Sequence, residues 1–153
     1  MKLWRLSVSG YATRLDGGYG LLHDGRWNVR GQAVTYCSTH PSLCILEKLV
    51  HIEDPSLMPD NLVMVEMEAP DDIRIQDISV TNLMDGWRHN EAYTQALGTS
   101  WFMQNNAPLL RVPSVIAAYE NATDRNIVIN HAHPDAKAVR IVNPHPFTFD
   151  SRL

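Results

Sequence analysis

The chain has 153 residues, 44% hydrophobic and 20% charged, the composition of an ordinary globular protein and the length of one domain, which buries about 70% of the surface its unfolded chain exposes and needs no staples. Its net charge of −4, with ten arginines scattered singly against three lysines, excludes the basic footprint of a general nucleic-acid binder. No apolar run approaches the ~20 residues that span a bilayer, and MKLWRLSVSG has too short an apolar stretch for a signal peptide, so a cytoplasmic protein without membrane association is expected.

Taken in order, Lys2 to Val8 alternates as a strand, with Leu3 and Arg5 on one face and Trp4 and Leu6 on the other. Gly10 to Gly25, broken by Gly17, Gly18 and Gly20, reads as a mobile loop. Gly25-Arg26-Trp27-Asn28 and Gly31 frame a tight turn ahead of a short strand, Ala33 to Cys37, in which Val34 and Tyr36 share a face. A helix follows, with Ser38 or Thr39 as cap, Pro41 in the first turn and Pro55 just beyond its end. Leu43, Ile45, Leu46, Leu49 and Val50 cover more than half its circumference and predict a mostly buried helix, with Glu47 and His51 side by side on the remaining arc. A glutamate in such surroundings is costly to desolvate unless it is paired or lines a cleft.

Asn61–Ala69 and Asp72–Ile78 read as the two strands of a hairpin. Asn90 to Asn105 is helical, with Tyr93, Leu97 and Trp101 four apart and Gly98 placed to divide the helix or to admit another backbone. Strands are expected at Leu109–Val112, Asn126–Asn130 and Ala138–Val142, a loop at His131–Lys137 and an extended piece at Pro144–Phe149. The mixed order of elements predicts an α+β fold, one compact domain over residues 1–153 with mixed or antiparallel sheets and a few helices.

Chemistry is less sharply written. Neither G-x-x-x-x-G-K-[ST] nor G-x-G-x-x-G occurs, so the common phosphate-binding loops have no local support. His131 and His133 could offer two metal ligands, but Asp135 is a thin third, and no metal is expected. Cys37 and Cys44 form neither a C-x-x-C pair nor a zinc spacing and read as small buried hydrophobes. Ser114 has no nucleophile motif around it; Glu47 and His51 could be an acid–base pair or a helix-face hydrogen bond; Tyr36 and Trp27 could stack on a ring or fill core space. These residues outline a cleft of Arg26, Tyr36, Glu47 and Ser114 without selecting a reaction.

At these positions the chain resembles the RES-domain family, the toxins of Res–Xre toxin–antitoxin pairs, named for an arginine, a glutamate and a serine. The resemblance rests on Trp4-Arg5, Gly25-Arg26-Trp27-Asn28 with Gly31, Tyr36, Glu47 and His51, Thr94-Gln95 with Gly98 and Trp101, Val112-Pro113-Ser114, and Asn130 with His133-Pro134-Asp135, all in the family's order. One departure is His131, where the family commonly has proline after the asparagine. The resemblance implies an ADP-ribosyltransferase-like fold and an enzyme that degrades NAD, as substrate, by cleaving the nicotinamide–ribose bond. Water as acceptor gives a glycohydrolase, phosphate a phosphorylase and a protein side chain an ADP-ribosyltransferase; a non-catalytic antitoxin-binding module is the other class to weigh. It implies Arg26, Tyr36, Glu47 and Ser114 as catalytic residues, with Arg26, Tyr36 and Ser114 also holding NAD and His51 supporting Glu47. The implied partner is a cognate Xre-family antitoxin, and a homodimer is compatible with it.

Overall fold

The computed structural model describes residues 1–52, 58–150 and 152. Seven strands form one sheet: β1 (Lys2–Val8), β2 (Val34–Ser38), β3 (Leu62–Glu68), β4 (Ile75–Asp77), β5 (Leu109–Pro113), β6 (Arg125–Asn130) and β7 (Arg140–Phe147). Their order is β4-β5-β6-β2-β1-β3-β7, with β4 parallel to β5 and every other pair antiparallel. Helices α1 (Gly18–Leu22), α2 (Pro41–Leu49) and α3 (Glu91–Gln104) lie in the connections. This is the expected α+β architecture.

The two faces of the sheet follow from strand alternation. Ile127 and Ile129 of β6, Leu109 of β5 and Cys37 of β2 join Leu3, Val65 and Met67 in one buried cluster. Val128, Leu110, Val112 and Val34 join Trp27, Trp87 and Trp101 in another. Because the central strands are covered on both sides, NIVIN and LLRV read as near-continuous apolar runs rather than as polar–apolar alternation. Trp101 is only 1% exposed, and its indole N–H donates to the Ala107 carbonyl at 3.0 Å, so the ring is buried without an orphaned donor.

The sheet has a weak seam. β1 and β2 meet at a single Cα pair, Trp4 with Ser38, whereas β1 is zipped to β3 over seven. Helix α2 straddles that seam, and the Cys44 thiol donates to the Trp4 carbonyl at 3.1 Å. Cys37 and Cys44 are both free and buried, as small hydrophobes should be, and burial pushes both thiols up, Cys44 to about 11.

Several expectations need correcting. The segment after β1 is not one open loop: it holds a short turn at Ser9–Tyr11 and helix α1, and Gly20 packs so closely on Gln32 and Val34 that a side chain there would collide. Strand β2 runs one residue later than expected. No side chain caps α2, because the Thr39 hydroxyl is engaged across the sheet with Thr123 and Arg125. Nor is α2 mostly buried: Leu43 and Cys44 face the sheet, but Leu46 is 44% and Val50 61% exposed, since only one side of the helix rests on the seam. The expected hairpin is absent. β3 is paired on both sides, by β1 and β7, leaving no edge for β4, which runs beside β5 instead. The last two extended pieces merge into β7, and His131–Lys137 ends in a short helical turn, Pro134–Ala138. Pro55 lies outside the described residues.

Candidate active site

Because β6 runs antiparallel to both β2 and β5, the end of β2, the end of β5 and the start of β6 converge at one end of the sheet. Helix α2 leaves β2 there and carries Glu47 over this end. The Glu47 carboxylate receives two hydrogen bonds on the same oxygen: Ser114 Oγ donates to Oε1 at 2.8 Å and Asn126 Nδ2 donates to Oε1 at 2.6 Å. Among the described residues no donor reaches Oε2. Ser114 follows β5 directly and is fully buried; its oxygen accepts the Ile116 N–H at 3.1 Å, so its one proton is committed to Glu47. Asn126 is oriented in turn by Ser38, whose hydroxyl donates to Oδ1 at 2.7 Å.

A second group lies on the same face of β2. Tyr36 and Ser38 are two residues apart, hence about 7 Å along the strand and pointing the same way. The Tyr36 hydroxyl accepts the Trp27 N–H at 2.9 Å and donates to Asn28 Oδ1 at 2.8 Å. The fully buried Asn28 amide also donates to the His23 and Val29 carbonyls, and Gly25 and Asn28 are bridged through their backbones. Gln95 of α3 holds the Gly25 carbonyl at 3.0 Å. The turn that presents Arg26 is therefore pinned from β2, from α3 and from within. Burial raises the Tyr36 phenol above its ordinary pKa, while the Arg26 charge pulls the other way, so the tyrosine is a neutral hydrogen-bonding post.

Arg26 itself is partly buried, and its Nη1 is a buried donor with no hydrogen-bond partner among the described residues. A desolvated guanidinium nitrogen left unpaired costs free energy that an anionic oxygen would return. An orphaned cationic donor suits an anionic group such as a phosphate, and a fixed carboxylate suits a centre that develops positive charge.

The structure thus ties Glu47 directly to Ser114, and Arg26 to Tyr36 through the backbone of the turn. His51 does not join them: α2 ends at Leu49, His51 is exposed, and among the described residues it makes no bond to Glu47. The sequence reading assigned no site role to Ser38, Asn126, Asn28 or Gln95, although Asn28 and Gln95 stand among the residues that carry the family resemblance. For Asn126 a signal existed, since it is a polar residue at the head of the buried apolar run Ile127–Ile129 and therefore needs a partner. His131 and His133 lie at the opposite end of β6, beside a depression of about 560 Å³ also lined by Lys137 and Arg140. His131 Nε2 meets Thr35 Oγ1 at 2.9 Å, and His133 Nδ1 accepts the Asp135 N–H at 3.1 Å, which makes them local fastenings. Among the described residues no group of three or more His, Cys, Asp or Glu is arranged to hold a metal ion.

Fold and site together define a class. Residues 2–150 match the RES domain, and the chain belongs to the RES-domain family. It is 36% identical over 154 residues to Toxin Res of Pseudomonas putida, covering 100% of this chain and 99% of that protein. It is 33% identical over 157 residues to the Prs ADP-ribosylating toxin of a Sphingobium species, covering 98% of this chain and 94% of that one. A chain of the M.tuberculosis MbcT–MbcA toxin–antitoxin complex superposes with a TM-score of 0.73 at 14% identity, over 96% of this chain and 84% of its own, so the two share a fold.

Proposed function

We propose that this protein is the toxin of a toxin–antitoxin pair and acts by cleaving the nicotinamide–ribose bond of NAD. The observation that carries the reading is the Glu47–Ser114 hydrogen bond at 2.8 Å, which joins two residues 67 positions apart into one fixed carboxylate at the end of the sheet. In the reaction the C1′–N bond breaks and its electron pair goes to the nicotinamide ring nitrogen, which loses its positive charge. The ribose carbon becomes oxocarbenium-like, and an acceptor oxygen then forms the new C1′–O bond and releases its proton. A preorganised carboxylate beside C1′ stabilises that developing charge without reorganising, an effect worth on the order of 3 kcal/mol or more. This is the role of Glu47, with Oε2 as the oxygen that no donor among the described residues reaches.

Arg26 holds the pyrophosphate through its unpartnered Nη1, and Tyr36 fixes the turn that aims it while its ring lies beside the nicotinamide ribose. Ser114 acts on Glu47 rather than on NAD, because its proton is already donated. We favour water or phosphate as the acceptor. The name of the Sphingobium relative supports a second reading, transfer of ADP-ribose to a protein. The cognate partner would be an Xre-family antitoxin.

The test incubates purified protein with NAD, with and without inorganic phosphate and with host-cell proteins, and resolves products by mass. Nicotinamide release is expected in every arm. Free ADP-ribose identifies a glycohydrolase, phosphorylated ADP-ribose a phosphorylase, and a mass increment on a polypeptide a transferase. Absence of nicotinamide from all arms, with antitoxin binding intact, would leave only the binding-module reading.

A further inference from the structure

We propose that Asn126 is a positioning residue for the reaction, set by Ser38, and that this pair fixes which oxygen of Glu47 faces the substrate. The inference rests on the functional reading above. Ser38 and Asn126 are directly opposite one another on β2 and β6, the closest relationship two strands offer, and the Ser38 hydroxyl donates to Asn126 Oδ1 at 2.7 Å. The carboxylate only accepts, so Nδ2 points to Glu47, which it reaches at 2.6 Å, and the Ser38 hydroxyl holds the other end of the amide by donating to Oδ1.

The backbone beneath Asn126 is equally constrained. Thr39 N–H donates to the Arg125 carbonyl at 2.9 Å, and the Arg125 N–H donates to Thr39 Oγ1 at 3.0 Å. The Arg125 side chain, on the opposite face, donates to Asp77 Oδ1 and to the Ile78 carbonyl. Neither face of the strand end is free to shift. Ser114 and Asn126 approach Glu47 from neighbouring strands, β5 and β6, and converge on Oε1. Two donors on one oxygen fix the carboxylate plane far better than one, because a single bond leaves rotation about its axis. Oε2 is thereby presented to the ligand in one orientation, and angular precision of this kind is where reaction rate is most sensitive.

Four variants assayed for nicotinamide release from NAD test the idea: Asn126→Ala, Asn126→Asp, Ser38→Ala and the double variant Ser38→Ala/Asn126→Ala. Asn126→Ala is expected to lower kcat 10- to 100-fold with KM changed less than about threefold, since orientation and not NAD affinity is lost. Asn126→Asp keeps the bond to Ser38 but places a carboxylate oxygen against Glu47, and should lower kcat further. Ser38→Ala should lower kcat about 10-fold in the parent and have no effect in the Asn126→Ala background, because Ser38 acts only through Asn126. Two results overturn the inference. One is a parental kcat in folded Asn126→Ala; the other is additive Ser38 and Asn126 effects accompanied by equal losses of melting temperature, which would assign both residues to general stability. Should Asn126→Ala not fold, Ser38→Ala against Ser38→Thr, which restores the hydroxyl, decides the matter: equal kcat in the two sinks the proposal. Failure of the unaltered protein to release nicotinamide refutes the functional reading instead, so the two are separable.

Discussion

The phenol of Tyr36 and the amide of Asn28 are locked in a bond of 2.8 Å at which two otherwise unrelated segments meet: a strand of the central sheet and the turn that carries Arg26. Tyr36→Phe removes the hydroxyl but keeps the ring, leaving the Trp27 N–H and the buried Asn28 carbonyl oxygen without a partner. The expected cost is about 1–3 kcal/mol of stability, read from the denaturant midpoint. NAD turnover should fall at least 10-fold because the Arg26 turn is no longer pinned to β2. Full activity in a destabilised Tyr36→Phe would show that the hydroxyl serves the fold alone.

Glu47→Gln separates charge from geometry. The amide oxygen of glutamine can still accept from both Ser114 and Asn126, so the fold and hydrogen bonds persist while the negative charge at the position of Oε2 is lost. Nicotinamide release is expected to drop by about 100-fold or more, with circular dichroism unchanged. Ser114→Ala should cost less, about 10- to 100-fold, since Asn126 still holds Oε1. A serine variant worse than Glu47→Gln would mean that the hydroxyl touches the substrate itself.

For Arg26, the informative change is to lysine. Charge is retained, but the planar fork that can engage two phosphate oxygens is replaced by a point charge on a flexible stem. Steady-state kinetics should show KM for NAD raised about 10-fold or more. An unaltered KM would remove Arg26 from pyrophosphate binding.

Gly98→Ala reverses the usual sign. In a helix interior alanine is ordinarily favoured over glycine by about 1 kcal/mol. Here the added methyl would run into the Trp27 carbonyl, which packs against α3 at Gly98. A loss of at least about 2 kcal/mol is expected from urea unfolding, together with weaker presentation of the adjacent Arg26. A more stable Gly98→Ala protein would contradict this packing.

His131 supplies a pH dependence. Burial lowers its pKa from the ordinary 6.5. The folded state therefore binds fewer protons than the unfolded chain just below pH 6.5, and stability declines as pH falls through that value. Urea midpoints for the parent and for His131→Gln, measured between pH 7 and pH 5, should show a shallower decline in the variant. Identical slopes would show that other groups carry the acid sensitivity.

How far the sequence could be read depended on which forces placed each residue. Strand β6 and helix α3 were legible because NIVIN and the Tyr93–Leu97–Trp101 spacing are dictated by burial, which acts locally through periodicity. Gly98 reads as placed either to divide the helix or to admit another backbone, and the backbone of Trp27 settles it for the second. The pairing of β4 with β5 instead of β3 was not, because partner choice depends on which edges remain free after the whole sheet assembles. The exposure of Leu46 and Val50 was hidden likewise, since the apolar arc of α2 says nothing about how narrow a seam it covers. Within the site, Glu47 announced a need for partners, yet its donors Ser114 and Asn126 are 67 and 79 residues away, and no local pattern ties either of them to Glu47. The family resemblance supplied Ser114; nothing supplied Ser38.

The outermost strand has a further consequence. Among the described residues no strand pairs with the outer edge of β7, which carries Pro144 and Pro146 opposite Val65 and Val63. Proline is tolerated on an edge strand where its missing N–H would have faced solvent, so the outer row of donors is interrupted at two alternate positions. A neighbouring molecule seeking to extend the sheet would find no continuous ladder there. The two prolines therefore guard this edge of the sheet against edge-to-edge aggregation.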